Sequence, residues 1–140
     1  MNRRALPLLL LPAMARADDA LPAEYAGLPG RPVVALVAHP AIGPRLRPMA
    51  AGRQRLVSDA LRGTGPGVVW EGGWLSSWGV AGEVRCFLAF EPRAEQLALM
   101  LWEGNNPSLF VPPRWAPWPE ALRPALRRFN PQIEAQLRWA

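Results

Sequence analysis

Between Gly73 and Trp102 three apolar runs are separated by turn chemistry, and this spacing restricts the possible folds more than anything else in the chain. The stretch reads GWLSSWGVAGEVRCFLAFEPRAEQLALMLW. In the first run Trp74, Ser76 and Trp78 alternate with Leu75 and Ser77, and a period of two puts both indoles on one face of a strand. Gly79 and Gly82 are expected to bracket the turn that follows. In the second run Cys86, Leu88 and Phe90 share one face and Arg85, Phe87 and Ala89 the other. Glu91-Pro92-Arg93-Ala94 then reads as a tight reversal, because proline presets the φ of an early turn position. The third run, Gln96 to Trp102, is almost wholly apolar, so its period does not separate strand from buried helix; its place after a hairpin turn decides for strand. The fold class expected is α+β: an antiparallel β-meander of about four to five strands, covered by short N-terminal helices and a C-terminal helix.

The first seventeen residues read as a secretory signal. Arg3 and Arg4 give a basic start, Ala5 to Ala13 is apolar, and Ala15-Arg16-Ala17 is a small-x-small cleavage site. Pro7 and Pro12 interrupt the apolar run, which is too short for a membrane span. The expected organisation is a signal peptide over 1–17, an extended lead-in over 18–30 and one α+β domain over 31–140, in a periplasmic or secreted protein. Cleavage would remove three arginines and no acid, so the formal charge would fall from +5 to +2. All basic residues are arginine and they are scattered along the chain, a pattern that does not point to nucleic acid.

The lead-in carries Pro22, Gly27, Pro29 and Gly30 with little periodic apolar content. Residues 33–38 support two readings: Pro32 can open a helix with Val33, Leu36 and Val37 on one stripe, while the β-branched content favours a strand. A short helix is expected near Pro44 to Gly52, and another over Arg53 to Arg62 that Gly63 stops. Gly65-Pro66-Gly67 is the boundary before the meander, Glu103-Gly104-Asn105-Asn106 a turn, and Ser108 to Val111 a further strand closed by Pro112-Pro113. Pro119 is expected to open a helix through Arg128, kinked at Pro124 and ended at Asn130-Pro131.

Few side chains point to chemistry. Cys86 is the only cysteine, so no intrachain disulfide can form, and a buried apolar role is expected for it. With one histidine, His39, no metal-ligand spacing exists, and no cofactor is expected. His39 has no accompanying nucleophile motif and reads as a capping or packing residue, which leaves no catalytic residue to name. Glu83, Glu91, Glu95 and Glu103 sit at strand ends and turns as solvated acids do. Arg123, Arg127 and Arg128 suit the negative end of a helix. Of the seven tryptophans, Trp74, Trp78 and Trp102 are expected in the core, whereas Trp115 and Trp118 lie in a proline-braced loop and are candidates for binding a glycan or a protein.

The order of elements resembles the Ivy-type family of periplasmic inhibitors of vertebrate lysozyme. The resemblance is carried by His39-Pro40-Ala41, by Gly72-Gly73-Trp74-Leu75, and by Arg85-Cys86-Phe87-Leu88-Ala89-Phe90-Glu91-Pro92 through Leu97 to Trp102. It runs from about Val33 to Phe129. It implies a non-catalytic inhibitor whose partner is a lysozyme-like cell-wall hydrolase. In the family a disulfide-pinned loop of form Cys-x-Pro-His-x-Cys carries a histidine into the lysozyme cleft. The corresponding stretch here is Gly79-Val80-Ala81-Gly82-Glu83-Val84, with no cysteine pair, proline or histidine. The resemblance thus places the contact region at Val80, Ala81, Gly82 and Glu83 and implies a changed target. Export predicts a mature chain that begins at Asp18; intact-mass analysis of the secreted product checks this, and a product that retains Met1 would refute it.

Overall fold

A computed structural model of the protein describes residues 20–140, so the expected signal peptide lies outside the described residues. Three helices come first: α1 (Val34–Ala38), α2 (Gly43–Met49) and α3 (Gln54–Leu61). The sheet follows as β1 (Val69–Glu71), β2 (Trp74–Ala81), β3 (Val84–Glu91), β4 (Gln96–Glu103) and β5 (Asn106–Val111), and the chain closes with α4 (Arg123–Phe129) and α5 (Pro131–Gln136). The five strands pair antiparallel in sequence order, an uncrossed meander within an α+β fold.

The sheet is covered on both faces. Leu75, Cys86, Leu88, Phe90, Leu97, Leu99 and Leu101 pack under the N-terminal helices against Leu36, Ile42, Val57 and Leu61. On the other face Trp74, Phe87, Ala89, Ala98, Met100 and Trp102 meet Leu122, Leu126, Phe129 and Ile133. Two-sided burial explains the uninterrupted apolar run of β4, since neither face of that strand meets water. Residues 34–38 resolve as helix because their apolar stripe, with Leu36 fully buried, has this sheet to cover.

Several local expectations are corrected. Gly79 does not bracket a turn; it lies within β2, opposite Cys86. A Cβ there would sit 2.1 Å from the Ala60 carbonyl oxygen, so glycine is what lets α3 lie against the strand. The turn is Gly82-Glu83 alone. Val69–Glu71 adds an edge strand that its short, Gly-flanked sequence concealed. Residues 20–30 are not extended: Ala23–Tyr25 form a 3₁₀ turn, and Tyr25 and Leu28 join the core. The Tyr25 ring lies 4.7 Å from that of His39 and 5.7 Å from that of Phe90. Pro124 causes no kink, because a 3₁₀ turn at Glu120–Leu122 precedes it and the α-helix begins only at Arg123. Its missing donor falls where a helix needs none. Asn130 ends α4 and also caps α5, its side chain accepting hydrogen bonds from the backbone N–H groups of Gln132 and Ile133.

The last two helices are joined by charge. Arg123 Nε donates to Glu134 Oε2 at 2.8 Å and Arg127 Nε to Glu134 Oε1 at 3.4 Å, while Arg128 reaches Glu71 at 2.8 Å on the edge strand. Arg127 and Arg128 lie in the last turn of α4 as expected, but Arg123 does not: it is the first residue of the helix, at the positive end of its dipole, and is held there by Glu134 and Glu120. Hydrogen bonds from Arg123, then Arg127, hold the Glu134 carboxyl below the usual glutamate range. Such a depressed pKa stabilises the fold fully above the unfolded-chain value near 4.3, and the contribution fades as pH falls through the folded value. Glu134→Gln should therefore lower the urea midpoint at neutral pH, with the gap from the parent narrowing towards about pH 3. A gap of equal size at both pH values would show that the charge on Glu134 does not matter.

Candidate functional site

The sequence-derived contact region lies at one end of the sheet. Ala81 pairs with Val84, which leaves Gly82-Glu83 as a two-residue turn. Gly82 has φ +63° and Glu83 stays in the negative range, the pattern of a type II′ hairpin turn. Val80 and Ala81 are strand residues, and Val80 exchanges two backbone hydrogen bonds with Thr64, at 2.7 and 3.0 Å. The neighbouring hairpin is tied in, since Gly104 N–H donates to the Glu83 carbonyl at 2.8 Å. This end of the sheet carries no protruding loop between β2 and β3.

The two loop tryptophans separate. Trp115 is 77% exposed, whereas Trp118 is fully buried, so Trp118 has no surface to offer a partner. Its ring meets Phe110 edge-on at 6.2 Å and its indole N–H donates to the Pro113 carbonyl at 3.2 Å. Its backbone is paired on both sides, donating to Arg138 O at 2.8 Å and accepting from Ala140 N at 2.9 Å. Trp118 thereby anchors the loop on the sheet, and Trp115 remains on its outer side. Sequence alone cannot separate the two, because both indoles sit among prolines and only the C-terminal segment, far along the chain, decides which is covered.

Most other polar candidates are taken up by structure. His39 Nε2 bonds the Glu24 carbonyl at 3.1 Å and Nδ1 accepts from Ala41 N–H at 3.1 Å, so the ring joins the N-terminal turn to the end of α1. Glu91 accepts from the Arg93 and Ala94 N–H groups of its own turn, Glu95 pairs with Arg45 at 2.8 Å, and Glu103 accepts from Ser108 and pairs with Arg53 at 3.7 Å. Cys86 is fully buried, and burial pushes its thiol pKa up, away from the reactive thiolate. Among the described residues no three of His, Cys, Asp and Glu cluster as a metal site needs, and no helix is long and apolar enough to cross a membrane.

One concave feature was not singled out from the sequence. A cleft of about 290 Å³ opens between the β4–β5 turn and α5, and Arg85, Trp102, Asn105 and Arg114 line it. The signal was an arginine at position 85 on the same strand face as Phe87 and Ala89, where an apolar residue would be the default. Its counterpart, Arg114, comes from a loop whose path the sequence does not reveal.

The fold and these surfaces define the class: an α+β protein with one antiparallel meander clad by helices on both faces, and with a polar cleft and an exposed indole as its candidate contacts. A family model described as inhibitor of vertebrate lysozyme (Ivy) matches residues 41–132, and the chain belongs to that family. No curated protein and no solved structure matches it. For the two indoles, Trp118→Ala should cost about 3–5 kcal/mol, the range for deleting a large buried aromatic. Trp115→Ala should leave the urea midpoint where it is. Denaturation of both variants checks this, and equal losses would show that Trp115 is also buried.

Proposed function

We propose that this chain is an exported, non-catalytic binding protein that inhibits a lysozyme-like cell-wall hydrolase other than the vertebrate enzyme. Membership of the Ivy family supports the inhibitor reading. The observation that carries the change of target is the two-residue Gly82-Glu83 turn, which stands where the resemblance leads one to expect a histidine-bearing loop. Glycosidases of this kind work with a pair of carboxyl groups flanking the scissile bond. A carboxylate at the tip of the hairpin would be repelled by such a pair, where an imidazole could hydrogen-bond to it. The basic, apolar and small-residue order of the first seventeen residues supports export. Inhibition of a vertebrate-type lysozyme should be absent or weak in a cell-lysis assay, while affinity capture from periplasmic extract should retain a wall hydrolase that the purified chain inhibits. Nanomolar inhibition of the vertebrate-type enzyme would overturn the change of target.

The 77% exposure of Trp115 favours a second reading, a glycan-binding module in which the indole stacks on a sugar ring. Sedimentation with insoluble cell wall separates the two: a glycan module co-sediments and Trp115→Ala releases it, whereas a protein inhibitor stays in the supernatant.

A further inference from the structure

We propose that the cleft beside α5 is a receptor for a carboxylate, presented by an acidic side chain of the protein partner; this rests on the reading of the chain as a hydrolase inhibitor. The cleft holds about 290 Å³, space for one side chain and part of its backbone, and it is lined by two arginines and no acid. Arg85 sets its chemistry. Its guanidinium carbon lies 5.2 Å from the centre of the Phe129 ring and 5.9 Å from that of Trp102, so aromatic faces hold the cation in place. No carboxylate of the described residues pairs with it. Other arginines without an ion pair, such as Arg31, Arg47, Arg55, Arg93 and Arg138, are exposed and hydrated, whereas Arg85 is half-buried. A partly desolvated guanidinium is met better by a carboxylate than by water, because its planar fork matches the two oxygens with parallel hydrogen bonds.

The rest of the cleft fits the same ligand. Arg114 donates to Gln136 Oε1 at 2.6 Å, which fixes its guanidinium to α5 at the cleft wall. Asn105 and Gln132 add amide groups able to bond the backbone beside an acidic residue. The indole N–H of Trp102, a lining residue, is buried and has no hydrogen-bond partner among the described residues. Placement favours a protein ligand over a free sugar acid. The cleft borders the β4–β5 turn, which Gly104 N–H ties to Glu83 at the end of the sheet where the family contact is expected. Trp115, next to Arg114, offers exposed aromatic area of the kind that dominates protein interfaces. The polarity of recognition is then reversed: the partner's acid enters this protein, instead of a side chain of this protein entering the partner.

The test is an NMR titration of the purified protein with acetyl-Gly-Glu-Gly-amide, acetyl-Gly-Gln-Gly-amide and N-acetylmuramic acid, read at the Arg85 Nε–H and Trp102 indole N–H resonances. The glutamyl peptide should give saturable shifts and bind at least ten-fold more tightly than the glutaminyl peptide. Arg114→Gln, at an exposed position, should keep the fold and weaken glutamyl binding at least ten-fold. Arg85→Lys keeps the charge but loses the fork, and should weaken it as well. Equal shifts with both peptides, no shift at either resonance, or tighter binding of N-acetylmuramic acid than of the glutamyl peptide would each overturn the proposal. A hydrolase inhibited equally by the parent and by Arg114→Gln would overturn the cleft while leaving the inhibitor reading intact. Glutamyl binding without any hydrolase inhibited would do the reverse.

Discussion

Burial of the β3–β4 pair on both faces is the constraint from which the remaining structure follows. Eight residues of each strand face one another in unbroken register from Val84 and Glu103 to Glu91 and Gln96, and β2 and β5 satisfy their outer backbone groups. With the backbone polar groups paired in the plane, both faces can be dry, and both therefore need a cover. The cover is made of pieces that are not stable alone. α1 has five residues, α5 six and α3 eight, below the length at which an isolated helix persists in water. Each is held by the apolar stripe it lays on the sheet, so helix formation and sheet formation are one event.

This dependence explains what could be read from the residues and what could not. The meander was legible because its turns carry local chemistry: the glycine at Gly82, the proline reversal after Glu91 and Gly104-Asn105 each mark a hairpin within a few residues, whereas Gly72-Gly73 did not reveal the three-residue strand before it. The helix over Gln54–Leu61 was legible from its period and its glycine stop. Features set by distant partners were not. Residues 33–38 are locally ambiguous and become helix only against the sheet, Tyr25 enters the core through rings contributed by His39 and Phe90, and Pro124 changes from kink to helix start because the preceding turn is 3₁₀. The candidate contact residues divide along the same line. Local sequence marked Gly82 as a turn residue but began the turn at Gly79, because the close approach of Ala60 that requires a glycine there comes from a distant helix. The different fates of Trp115 and Trp118 likewise depend on the pairing of Trp118 with Arg138 and Ala140.

The distribution of charge separates structural work from recognition. Glu134 gathers Arg123 and Arg127, Glu71 holds Arg128, and Glu95 holds Arg45, so several cations are committed to joining elements distant in sequence. Arg85 is committed to none of these, although its strand is among the most buried in the molecule. Strand β3 therefore serves two purposes along its length: from Cys86 to Phe90 it is core, and at Arg85 it presents charge beside the hairpin end.

Cys86 gives the same strand a further property. The thiol is fully buried under the N-terminal helices and has no cysteine within the chain to pair with. In an oxidising compartment a covalent link to a second copy would require that face of the sheet to open, so disulfide-linked dimers would accumulate in proportion to the small fraction of molecules that are open. The same burial makes the thiol an internal reporter: its modification by a small reagent under native conditions would measure the fraction of molecules in which the N-terminal helices have lifted from the sheet.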